Sequence, residues 1–108
     1  MSTLVESIKA KLHQHFNPKA ARNIHNVFMF ELSDGDTYTL TVDDGTMQFH
    51  EGAHPTPDIV FMTDRDTLKK IFNGEASGAT AMMMGDIKVK GDWIVATRLK
   101  RLFPHMKA

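Results

Sequence analysis

A chain of 108 residues and 12.2 kDa is the length of one domain, and its 42% apolar and 24% charged residues are the balance of a globular chain, not a disordered one. The absence of Cys excludes disulfides, thiolate metal sites, cysteine nucleophiles and iron–sulfur clusters. The 13 basic and 13 acidic side chains cancel overall but are unevenly placed. Residues 1–25 carry Lys9, Lys11, Lys19 and Arg22 against Glu6, residues 26–80 are strongly acidic, and residues 81–108 are basic again. Basic ends that met in the fold would make a basic face, suited to an anionic membrane; the plainer reading is a solvated surface. No basic run is interleaved with aromatics, so no nucleic-acid partner is expected.

No apolar run reaches the roughly 18 residues of a membrane span. Glu6 precedes any apolar stretch, so no signal peptide is expected and the default location is the cytoplasm. Thr3 and Glu6 have capping-box spacing, and Leu4, Val5, Ile8, Leu12 and Phe16 share one helical face. Asn17-Pro18 ends that helix and can open a short one through Ala20-Ala21. The period then changes to two. Phe28, Phe30 and Leu32 alternate with Val27, Met29 and Glu31; after the turn Asp34-Gly35-Asp36, Tyr38, Leu40 and Val42 alternate with threonines. Asp43-Asp44-Gly45 is a second turn, and Met47 and Phe49 continue the alternation. This predicts a three-strand antiparallel meander with one wet face. After a loop with Pro55 and Pro57, Ile59-Val60-Phe61-Met62 reads as an interior strand.

Thr63 and Asp66 then have capping-box spacing, Leu68, Ile71 and Phe72 share a face, and Gly74 ends that helix. Ala79 to Met84 is a shorter helix ended by Gly85. Asp86 to Lys90 is a fifth strand with Ile87 and Val89 inward. Asp92 caps a last helix with Val95, Leu99, Leu102, Phe103 and Met106 as its stripe, which Pro104 should break. Helices segregated from an antiparallel sheet define an α+β domain over residues 1–108.

His50-Glu51-Gly52-Ala53-His54 matches the His-Glu-x-x-His pattern of zinc hydrolases. That chemistry needs a helix to bring both histidines to one metal. Here the segment contains Gly52, stops at Pro55 and continues a strand, so loop histidines are the better reading and no metal or cofactor is expected. His13 and His15 lie about 200° apart around a helix and cannot chelate together. No nucleophile elbow, phosphate loop or acid–base pair is present, so no catalysis is expected. The apolar inventory is more unusual. Met82-Met83-Met84 would cover about 300° of a helix, more than one core-facing stripe. Methionine suits either an adaptable cavity or a plain core.

Residues 69–103 resemble the sterol carrier protein type 2 family of lipid-binding domains. The family's Gly-Lys-Leu-Lys-Ile-Lys-Gly-Asp/Asn segment appears as Gly85-Asp86-Ile87-Lys88-Val89-Lys90-Gly91-Asp92, with Gly74 and Ala81-Met82-Met83-Met84 before it and Leu102-Phe103 after it. Val27 to Leu32 and Tyr38 to Val42 look like the family's opening hairpin. The resemblance implies a five-stranded, mainly antiparallel sheet covered on one face by helices. It also implies an apolar tunnel between the layers that takes fatty acids, acyl-CoA, isoprenoids or sterol-like lipids without catalysis. Asp86 stands where the family has Lys, which weakens any anionic head-group role there. The ending His105-Met106-Lys107-Ala108 is no peroxisomal address, so a stand-alone prokaryotic-type member is expected, with an acyl or isoprenoid chain as ligand.

The candidate lining is Phe28, Phe30, Tyr38, Leu40, Phe61, Leu68, Phe72, Met82, Met83, Met84, Trp93, Leu99 and Phe103, with the polar tips of Tyr38 and Trp93 at the mouth. Arg98, Lys100 and Arg101 are the candidate contacts to an anionic membrane. The alternative is an accessory module, homodimeric or bound to a biosynthetic enzyme, that presents lipid-like intermediates.

Overall fold

The computed structural model describes residues 3–103, without the side chains of Thr3 and Ala79. The capping role expected of Thr3, the helix break at Pro104 and the last stripe residue, Met106, lie outside what is described. The first helix, α1, is Thr3–His15 and buries Ile8 and Leu12. The short helix expected after Pro18 is instead a run of turns. There the Asn17 side chain accepts from the amides of Lys19 and Ala20 at 3.1 and 3.3 Å.

Five strands are formed: β1 His25–Leu32, β2 Thr37–Asp43 and β3 Thr46–Glu51 on the period-two runs, β4 Ile59–Thr63 on the continuous apolar run, and β5 Lys88–Gly91. Between β4 and β5 lie α2 Arg65–Phe72 and α3 Gly78–Met83; α4, Trp93–Leu102, ends the described chain. The sheet order is β3-β2-β1-β4-β5. All neighbours are antiparallel except β1 and β4, which run parallel with Phe28 opposite Ile59 and Phe30 opposite Phe61. The sheet is therefore mixed, and β1, the first strand made, is its centre.

One face carries Phe28, Phe30, Tyr38, Leu40, Val42, Phe49, Ile59 and Phe61, all buried, in one cluster with Ile8 and Leu12 of α1, Leu68 of α2 and Val95 and Leu102 of α4. The other face is drier than its alternating threonines suggest. Strand β3 ends at the far end of the sheet from the start of β4, so residues 52–58 must return along this outer face. They are fastened at both ends: Gly52 N–H donates to Thr37 O at 2.8 Å, and Asp58 N–H donates to Val27 O at 3.0 Å. Between these points the Thr39 hydroxyl donates to Gly52 O at 2.7 Å, and Thr39 and Met29 are buried.

The helix starts follow their caps. Asp64, not Thr63, caps α2, its carboxylate accepting from Thr67 N–H at 2.7 Å, because Thr63 is still the last residue of β4. Ser77 and Asp92 cap α3 and α4. Gly91 closes β5 against the entrance to β4 with φ +118°, and an added Cβ would stand 2.6 Å from Asp58 O and 3.0 Å from Ile59 Cα. Only glycine accepts both that conformation and that approach.

Candidate functional site

Between the helices and the apolar face of the sheet lies a cavity of about 510 Å³. The sheet contributes Phe30, Leu40 and Phe61 from three adjacent strands. Phe30 and Phe61, side by side in the parallel pair, stack with centroids 5.3 Å apart, and Phe72 of α2 meets Phe30 edge-on at 6.2 Å. Leu68, Ile71 and Phe72 reach the cavity together because three- and four-residue spacing puts them on one side of α2. Gly78 and Met82 do the same from α3, and Leu12 enters from α1. In α4, Trp93, Ala96, Thr97 and Lys100 form one line along the helix, with Leu99 and Phe103 beside it.

The structure places Phe30, Leu40, Phe61, Leu68, Phe72, Met82, Trp93, Leu99 and Phe103 around this cavity. It does not bring the other four candidates there. Phe28 and Tyr38 are fully covered within the core. The Tyr38 hydroxyl is not at a mouth: it accepts from Arg65 Nη1 at 3.1 Å. Met83 and Met84 are 88% and 73% exposed. A six-residue helix turns only one of three successive methionines inward, and here it is Met82. Trp93 is 56% exposed while lining the cavity, as expected of a residue at its rim.

Leu12, Thr63, Ile71, Gly78, Ile87, Ala96, Thr97 and Lys100 also line the cavity, outside the lining expected from the sequence, which reads Lys100 only as a membrane contact. The α4 residues had a legible signal in their spacing from Trp93. It is masked because that line carries one small, one hydroxylated and one charged residue beside a stronger apolar stripe.

The polar groups around the cavity are few. Thr63 Oγ1 donates to Asp86 O at 2.9 Å and Thr97 Oγ1 donates to Ile94 O at 2.6 Å. Arg98 points elsewhere: its Nη1 donates to Asn26 Oδ1 at 2.6 Å, and Asn26 in turn donates to Asp58. Arg98 is thus a tie between α4 and the sheet, not a cation free for a membrane. Arg65 Nε donates to Asp34 at 2.8 Å, and the guanidinium also bonds Asp36. The Arg65 hydrogen bond is the first cause holding the Asp34 carboxyl below its usual range, and the bond to Asp34 raises the guanidinium in turn. The Thr67 amide similarly holds Asp64 down. His50 and Glu51 end β3, and His54 lies in the crossover, where its Nδ1 accepts from Thr56 N–H at 3.0 Å. The His-Glu-x-x-His segment is strand and loop, without the helix a shared metal needs. No group of three metal-ligating side chains occurs among the described residues. No described helix is long and apolar enough to cross a membrane.

A mixed five-stranded sheet with helices over one face is the fold of solved sterol carrier protein 2 structures. Palmitated SCP2L2 from Aedes aegypti superposes with a TM-score of 0.73 at 20% identity, over 100% of this chain and 99% of that one. A UbiJ-SCP2 ubiquinone synthesis protein gives 0.73 at 14% identity over 93% and 92%. Residues 6–104 match the SCP-2 sterol transfer family, and the chain belongs to that family of lipid-binding and lipid-transfer domains. Among curated relatives, hydroxysteroid dehydrogenase-like protein 2 from Pongo abelii is 33% identical over 86 residues, which are 76% of this chain. The chain spans about a fifth of that relative's length, the match covering 20% of it.

Proposed function

We propose that this domain carries one single-chain lipid in the cavity between its layers and makes or breaks no bond in it. The supporting observation is the 510 Å³ apolar space lined from the sheet and all four helices. At about 30 Å³ per water-sized group, that volume holds roughly 17 such groups, close to one long acyl or isoprenoid chain. A sterol with its side chain is larger. Each buried methylene contributes about 0.8 kcal/mol, less the cost of ordering the chain. The cavity is then the occupied part of a tunnel whose mouth is at Trp93. The setting is the cytoplasm, and loading occurs at an anionic membrane through Lys100 and Arg101. Vesicle binding should weaken as salt rises; salt-independent binding rules that contact out.

Native mass spectrometry of gently purified protein, followed by lipid extraction, tests the carrier reading. An added mass matching an extractable lipid supports it. A bare chain that also fails to displace a fluorescent fatty-acid probe overturns it. A second reading then gains: an accessory module, as a dimer or on an enzyme, that presents lipid-like intermediates. It is favoured by Met83, Met84, Trp93 and Ile94, large apolar side chains left exposed at the end of α3 and the start of α4, and by the fold shared with a ubiquinone synthesis protein.

A further inference from the structure

Among the described residues lining the cavity, Lys100 is the sole charged one; no carboxylate faces it there. The two hydroxyl side chains, Thr63 and Thr97, have their protons committed to backbone carbonyls, and the Trp93 indole N–H is a neutral donor. Lys100 forms no hydrogen bond or ion pair with any described residue. It is exposed while lining the cavity, the position of a side chain at the rim, from which a lysine can keep its stem on apolar surface and its ammonium in water. It stands two turns from Trp93 on the same line of α4. The neighbouring cations offer a contrast. Arg98 is bonded to Asn26, and Arg101 is exposed but does not line the cavity.

Two side-chain donors at the cavity are therefore uncommitted among the described residues, the Trp93 indole N–H and the Lys100 ammonium, and of these Lys100 alone is a cation. We infer that Lys100 Nζ holds the end group of the ligand and makes the cavity prefer a single chain ending in an anion over the same chain ending in an alcohol. This rests on the carrier reading. The shared chemistry is an anionic oxygen at the head of an alkyl chain. A carboxylate and a phosphate monoester are its two sources, both able to accept the charge-assisted hydrogen bond that an alcohol accepts more weakly. The apolar remainder of the cavity receives the tail.

The test is displacement of a fluorescent fatty-acid probe by palmitate, hexadecyl phosphate and hexadecanol, each below its aggregation concentration. The variants are Lys100→Met, Lys100→Arg and Arg101→Met. In the unaltered protein at least one anion should bind about tenfold tighter than the alcohol, and the tighter anion names the head group. Lys100→Met should bring both anions to within about twofold of the alcohol without changing alcohol binding. Lys100→Arg should keep most of the preference, and Arg101→Met, an equal loss of charge outside the cavity, should keep all of it. An anion preference that survives Lys100→Met overturns the inference, as does an equal loss in Arg101→Met. Failure of all three compounds to bind the unaltered protein is the different result that overturns the carrier reading itself.

Discussion

Arg65 holds three side chains of the β1–β2 hairpin at once: Asp34 and Asp36 in the turn and the hydroxyl of buried Tyr38. It thereby fixes the start of α2, the helix that supplies Leu68, Ile71 and Phe72 to the cavity. Arg65→Met leaves the Tyr38 oxygen without its donor and should lower Tm by roughly 4–8 °C. Asp34 and Asp64 both titrate below their ordinary range in the folded protein. Their contribution is complete above the unfolded carboxylate value of about 4 and is lost as pH falls through the folded values. Tm should thus be flat from neutral pH to about 5 and fall below about 4. In Asp34→Asn the acid fall should be shallower, as a thermal melt at each pH will show. The turn itself is legible from Asp34-Gly35-Asp36. Its partner is not, because Arg65 lies 31 residues from Asp34 and pattern carries no information about such a pair.

The elements were legible as far as periodicity reaches. Alternation marks β1 to β3, a short apolar run marks β4, the caps at Asp64 and Asp92 lie within a residue of where spacing puts them, and the strand expected at Asp86 to Lys90 is Lys88–Gly91. Their arrangement was not legible. A period of two fixes which side chains share a face but not which strand lies beside which, so the parallel pairing of β1 with β4 is a property of the folded sheet alone. It depends on residues 52–58 crossing the outer face, the segment that dries Thr39 and Met29 against the wet face expected there. The glycines test this arrangement. Gly91→Ala forces a Cβ against Asp58 and Ile59 and should lower Tm by more than about 10 °C. Gly78→Ala, at a helix start with open space around it and no positive φ, should stabilise by about 0.4–1 kcal/mol.

At the scale of the molecule, stability and occupancy are one equilibrium. A ligand held only by the folded state adds about 2.7 kcal/mol at a hundred times its Kd. Saturating palmitate should then raise Tm by roughly 10–20 °C. Ala96→Trp, which places an indole in the cavity, should weaken probe displacement more than tenfold while leaving Tm of the unliganded protein unchanged or higher. Apolar spacing could not separate lining from core. Phe28 and Phe30 stand on the same side of one strand, yet Phe28 is sealed and Phe30 faces the cavity.

The central place of β1 also bears on how the chain is made. Its partner β2 follows at once, but Ile59 of β4 leaves the ribosome 27 residues after Leu32. At 5–20 residues per second, that is a delay of roughly one to five seconds. For that interval the nascent sheet shows one bare strand edge and a row of phenylalanines not yet roofed by α2 and α4. Substitutions that slow the docking of β4 on β1, such as at Asp58, whose carboxylate accepts from Val27 N–H, should therefore reduce the yield of protein from cells more than they reduce the stability of the molecules that reach the folded state.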